Sequence, residues 1–170
     1  MNAVNEVVER SSVKLTDDDL RQLAEIARAD REQMFDRSQH WAPYRDRLLA
    51  VALCQGAALH YLDGKNGVKD LDVWMFFAAR SDLYPDRALY RRNKAYDYGP
   101  SRLGRHPDLP GYAGRKVDVL SDSIPVGPDA DPVEAIRHWL RTERRKKPAY
   151  LAQKAVVLIE PDLGRVVWPE

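Results

Sequence analysis

A single cysteine, Cys54, stands in the whole chain of 170 residues, so an internal disulfide is excluded and a reducing, cytoplasmic setting is expected. No apolar run approaches the roughly 20 residues that a membrane-spanning helix needs, and no membrane partner is expected. The first ten residues scatter acids among valines and lack the apolar stretch of a secretory signal. An excess of either charge is missing as well. With 27 Lys and Arg against 26 Asp and Glu, the formal net charge is +1. Attraction to nucleic acid is therefore no property of the whole molecule, and only a local patch could supply it. The four histidines, His40, His60, His106 and His138, have neither cysteine partners nor zinc-type spacing. No internal repeat and no low-complexity segment is present.

What remains is an ordinary globular balance, 44% hydrophobic and 31% charged, over a length that suits one domain spanning residues 1–170. Thr16 followed by three aspartates reads as an N-cap with acids in the first turn. Leu20, Leu23, Ala24, Ala27 and Met34 then recur at helical spacing, which predicts an N-terminal helix over about 16–36. Residues 48–53 fit a buried strand, Gln55-Gly56 a turn, and 57–62 a short helix. A turn rich in Gly and Asn, residues 63–67, leads to a strand from Leu71 that is apolar on both faces from Trp74 onward. Residues 115–120 predict another short strand. Asp131-Pro132 caps a helix through about 146, and 155–159 with 165–168 form a closing hairpin, so the C-terminal helix and hairpin occupy 131–168. The fold class expected is α/β in an α+β arrangement: a mixed, twisted sheet of four to six strands with helices mainly on one face.

The residues that carry chemistry are aspartates. Asp70 and Asp72 lie two apart on a strand and so share a face, with α-carbons about 6 to 7 Å apart. Asp118, between Val117 and Val119, is an acid set among hydrophobics. Such a charge needs a cation beside it, either a metal or a salt bridge from Lys69, Arg80, Arg115 or Lys116. Residues 81–116 form a long basic connection, expected to open a helix at Tyr84-Pro85-Asp86 that carries Arg87, Arg91, Arg92 and Lys94. With Tyr90, Tyr96 and Tyr98 interleaved, these residues and Arg102 and Arg105 either contact phosphates and stack a base or form a solvated helix face. Cys54 has no identifiable base and reads as a small buried residue.

In order, strand, glycine turn, helix, strand with Asp-x-Asp, long insertion and strand with a single Asp resembles the nucleotidyltransferase superfamily with the DNA polymerase beta-like palm. Thirteen residues separate Gly56 from Asp70, and the likeness covers residues 48–120, the expected core, as a minimal stand-alone member. The resemblance implies a metal-dependent transferase moving an NMP group from an NTP to a hydroxyl of nucleic acid, protein or a small molecule. Asp70, Asp72 and Asp118 would then hold Mg2+ or Mn2+. Gly56, the amide of Ala57 and Lys65 would meet the triphosphate, with Arg91, Arg92, Lys94 and Arg115 as further phosphate or substrate contacts. The chain departs from the family pattern at Ala57, where a serine or second glycine is usual. That departure motivates an alternative: a catalytically degenerate binding module, or a toxin or antitoxin subunit acting as a homodimer or with a partner chain.

Overall fold

The computed structural model of the protein describes residues 10–80, 92–142 and 146–170. Its first element, helix α1 (Asp17–Arg37), begins at Thr16 in a capping box: the Asp19 amide donates to the Thr16 hydroxyl while the Asp19 carboxylate accepts from the Thr16 amide at 2.7 Å. Strand β1 (Leu48–Cys54) follows a short 3-10 turn at Ala42–Tyr44, and helix α2 (Gln55–Asp63) follows β1 without an intervening loop. After β2 (Leu71–Ala78) come β3 (Arg92–Asp97), β4 (Lys116–Ile124), helices α3 (Pro132–Thr142) and α4 (Lys146–Ala152), and the hairpin strands β5 (Val156–Glu160) and β6 (Val166–Trp168).

The six strands form one sheet in the order β3-β4-β2-β1-β5-β6. β2 and β4 run parallel, and every other neighbouring pair is antiparallel, so the sheet is mixed as expected. Alternation along the strands sends Val51, Leu53, Val73, Met75, Phe77, Val117 and Val119 to one face, where they pack against Leu20, Leu23 and Ala27 of α1 and Ala57 and Ala58 of α2. Ala52, Cys54, Trp74, Phe76 and Leu120 point to the other face, against Val133, Ile136, Trp139 and Leu140 of α3 and Leu151 of α4. The helices thus divide between the two faces instead of gathering mainly on one. β2 dictates this, because both of its apolar faces need cover.

A second difference concerns Arg92 and Lys94, expected on a helix and found on Arg92–Asp97, an edge strand on β4. Lys94, Tyr96 and the following Tyr98 recur every second residue and all turn toward α1: Lys94 to Gln33 at 3.4 Å, Tyr96 to Asp30, and Tyr98 to Asp19 at 2.7 Å. That spacing belongs to an extended chain. The expected start of that helix at residues 84–86, with Arg87, Tyr90 and Arg91, lies outside the described residues.

Candidate functional site: a carboxylate cluster beside a glycine turn

In the parallel register of β2 and β4, Asp72 is the direct partner of Asp118. Their flanking residues Leu71, Val73, Val117 and Val119 belong to the α1 face, so both carboxylates project to the opposite face from neighbouring strands about 4.8 Å apart. Asp70 enters just ahead of β2. Burial and then the negative charges of Asp118 and Asp70 push the Asp72 carboxyl up from the ordinary 3.8 to about 6, against the opposing pull of Lys116 and Lys154. The three acids therefore converge electrostatically at one end of the sheet.

Each of the outer two acids has a protein partner. The Asp118 carboxylate meets the Lys116 ammonium at 3.2 Å. Burial alone would lower the Lys116 pKa, yet the hydrogen bond and charge of Asp118, with Asp70 and Tyr112 behind it, hold it above its usual value. Asp70 is bonded to Nε2 of His106 at 2.9 Å. Because the Asp108 amide donates to Nδ1 of the same ring at 3.1 Å, the proton lies on Nε2 and His106 is the donor. Arg115, 6% exposed, lies within electrostatic reach of Asp70; burial lowers its pKa and the Asp70 charge opposes that. Among the described residues no three His, Cys, Asp or Glu side chains stand as a ready-made cation cage. The donor set nonetheless suits magnesium, which takes one or two carboxylates and completes its shell with water and substrate phosphate.

His106 and Arg115 are delivered by the loop over residues 98–115, which has few regular elements but many ties. Asp97 accepts from the amides of Gly99 and Gly114 at 2.9 and 3.0 Å, the His106 amide donates to the Gly114 carbonyl at 2.7 Å, and Arg115 Nε donates to the Leu103 carbonyl at 3.1 Å. Arg102 bonds the Lys14 carbonyl at 2.9 Å and pairs with Asp19, which pins the loop to the start of α1. Gly114 lies so close to Gly99 that a Cβ there would stand 1.9 Å from the Gly99 carbonyl oxygen.

At the other side of Asp72, its antiparallel partner is Cys54, the last residue of β1, and the chain passes straight into α2. The positive φ of this turn, 63°, falls at Gln55; Gly56 has none. Ala57 is 3% exposed and packs in the α1 face of the core, so a hydroxyl at this position would face the core and not a phosphate. The Cys54 thiol is fully buried, and burial followed by the charge of Asp72 raises its pKa well above the usual range, which keeps it protonated and unreactive.

The remaining expected contacts are dispersed. Lys65 is exposed in the turn beyond the C-terminal end of α2, where its amide is held by Asp63 at 2.8 Å. Lys94 pairs in register with Val119 and sits over the Tyr96 ring, on the sheet face opposite the carboxylates. The side chains of Arg91 and Arg92 lie outside the described residues. Sequence reasoning missed His106, which no spacing signal marks, and weighed Lys116 only as one of four possible partners for Asp118.

No protein-family model matches the chain, and no curated protein or solved structure matches it. No described helix is long and apolar enough to cross a membrane.

Proposed function

We propose that this chain is a metal-dependent nucleotidyltransferase, transferring an NMP group from an NTP to a hydroxyl of nucleic acid, protein or a small molecule in the cytoplasm. One observation carries the proposal: Asp72 and Asp118 are cross-strand partners on one face, with Asp70 coupled to them, at the sheet end where β1 turns into α2. Asp70, Asp72 and Asp118 are the residues that would hold Mg2+ or Mn2+. When bound, such an ion would neutralise triphosphate charge and favour ionisation of the acceptor hydroxyl. His106 orients Asp70, Arg115 lies within electrostatic reach of it, Lys116 balances Asp118, and Gly56 would present no side chain to the phosphates. Asp118, paired with the half-buried Lys116, is the candidate to accept the hydroxyl proton.

The test is incubation with each labelled NTP, magnesium or manganese, and mixed RNA and protein. Label should move to an acceptor with the wild-type chain and not with Asp118→Asn or Asp70→Ala. Absence of any transfer, or transfer equal in the variants, refutes the proposal. The Lys116–Asp118 ion pair favours a second reading, a binding module whose internal cation has replaced the metal. Calorimetric binding of NTP that is the same with and without magnesium would support that reading.

A further inference from the structure

We propose that the Lys116 ammonium is a tethered, displaceable cation of the carboxylate cluster: it is bonded to Asp118 in the metal-free chain and leaves that carboxylate when a divalent ion takes the site. The proposal rests on the metal-dependent reading of the cluster and adds its regulation. The register of the sheet supplies the geometry. Asp72 faces Asp118 across β2 and β4. Lys116 lies two residues ahead of Asp118 on the same strand and so shares its face, as Asp70 lies two residues ahead of Asp72. One step outward from the pair of Leu71 with Val117, the same register brings Lys116 opposite Asp70. Asp70, Asp72 and Asp118 thus mark three corners of a square at the sheet end, and Lys116 marks the fourth. Its ammonium meets the Asp118 carboxylate at 3.2 Å.

Charge follows the same plan. Besides its bond to Asp118, Lys116 is within electrostatic reach of both Asp70 and Asp72, so one monovalent head serves all three acids. Arg115 is coupled to Asp70 while its Nε is engaged by the Leu103 carbonyl, and Lys154 is coupled to Asp72. Magnesium sits about 2 Å from each oxygen that holds it. An ion held by these carboxylates would therefore stand within a few Å of an ammonium still seated on Asp118, and like charges that close repel. Lysine suits a cation that has to move, because its charge is a point at the end of a flexible four-carbon stem. The Lys116 side chain is 31% exposed, so its head has a way out toward solvent that needs no rearrangement of the sheet. Two consequences follow for the site. The acids stay partly neutralised when no metal is bound, and an incoming ion has to outcompete a tethered one, which favours a divalent cation over a monovalent one.

The test uses the full chain with Mn2+ as the probe, and two readouts: acetylation of lysines by an N-hydroxysuccinimide ester, followed by mass spectrometry, and calorimetry. In EDTA, Lys116 should react slowly; saturating Mn2+ should speed its acetylation about fivefold or more and leave the exposed Lys65, the internal control, unchanged. Asp118→Asn should leave Lys116 reactive with or without Mn2+. In calorimetry, Lys116→Met should bind Mn2+ about tenfold more tightly than wild type, whereas Lys116→Arg, whose guanidinium keeps the pair, should bind it no more tightly. A lysine that only props Asp118 in place gives the opposite sign, weaker Mn2+ binding in Lys116→Met. That sign overturns the proposal, as does a Lys116 acetylation rate untouched by bound Mn2+. Absence of Mn2+ binding in both wild type and Lys116→Met overturns it too. The outcome is separable from that of the transferase proposal. Release of Lys116 by Mn2+ in a chain that transfers no label leaves the displaceable lysine standing and removes the enzyme. Transfer of label with Lys116 protected throughout does the reverse.

Discussion

Replacing Asp72 by asparagine should make the protein more stable, and only above mildly acidic pH. The carboxyl is held at about 6 in the folded chain against an ordinary 3.8, because burial and two neighbouring carboxylates disfavour its charge. The folded state therefore binds the proton more tightly than the unfolded state. The contribution of this group to stability is highest below about pH 3.8, falls as pH rises through the window to about 6, and is level above it. A rise of 3.8 to 6 at about 1.4 kcal/mol per unit makes the penalty about 3 kcal/mol at pH 8. An asparagine side chain keeps the shape, loses the charge and can donate to Asp118, so Asp72→Asn should recover about that amount, a rise of roughly 6 to 12 °C in Tm for a domain of this size. Urea denaturation of both proteins in EDTA from pH 4 to pH 8 measures it. The two curves should nearly coincide at pH 4 and separate progressively toward pH 7. A variant that is equally or less stable at pH 8, or a gap that does not change with pH, would refute the reasoning. Magnesium, on the transferase proposal, stabilises the wild type more than the variant and narrows the gap.

Other perturbations probe the parts around that charge. Gly114→Ala places a methyl 1.9 Å from the backbone oxygen of Gly99, where no flexible side chain can yield; it should cost about 3 kcal/mol or more in urea denaturation, and an unchanged midpoint would mean the loop does not pack as described. His106→Ala removes the donor that orients Asp70 and should lower kcat of the proposed transfer about tenfold with little change in KM, with partial recovery in His106→Gln; equal loss in both variants would point to a merely structural histidine. Thr16→Ala removes the cap of α1 and should lower stability by about 1 kcal/mol in urea denaturation; an unchanged midpoint would mean that the capping box contributes nothing to the fold.

Local pattern was enough to find α1, β1, β2, β4 and the closing hairpin, because each announces itself within about ten residues. Thr16 and Asp19 mark the start of α1, and β2 reads as central since Trp74 and Phe76 alternate with Val73, Met75 and Phe77, all buried. That same pattern already contained the need for helices on both faces. Pairing was not legible. That β4 lies beside β2 in parallel, and that Arg92–Asp97 forms the sheet edge on β4, depends on contacts between segments far apart in the chain. Tyr96 and Tyr98 carried the strand signal for β3, but the basic run ahead of them invited a helix instead. The site divides in the same way. Its acids could be found from residue type and spacing, whereas the donor His106 and the cation Lys154 owe their places to tertiary folding alone.

The position of β2 between β1 and β4 explains why both kinds of group meet at one sheet end. Asp72 has Asp118 on its β4 side and Cys54, leading into Gly56, on its β1 side. Moving from β4 to β1 across one strand, the charge of the side chains changes from the carboxylates to Lys154. Register makes this separation strict: a slip of one residue in β4 would set Val117 or Val119 beside Asp72 and turn Asp118 into the α1 core. Asp72 is a liability to the fold: burial first and then Asp118 and Asp70 push it up to about 6, and Lys116 and Lys154 offset this only in part. For stability alone a neutral asparagine would serve better than Asp72, and on the transferase proposal the metal it would help hold is what offsets the cost of its charge.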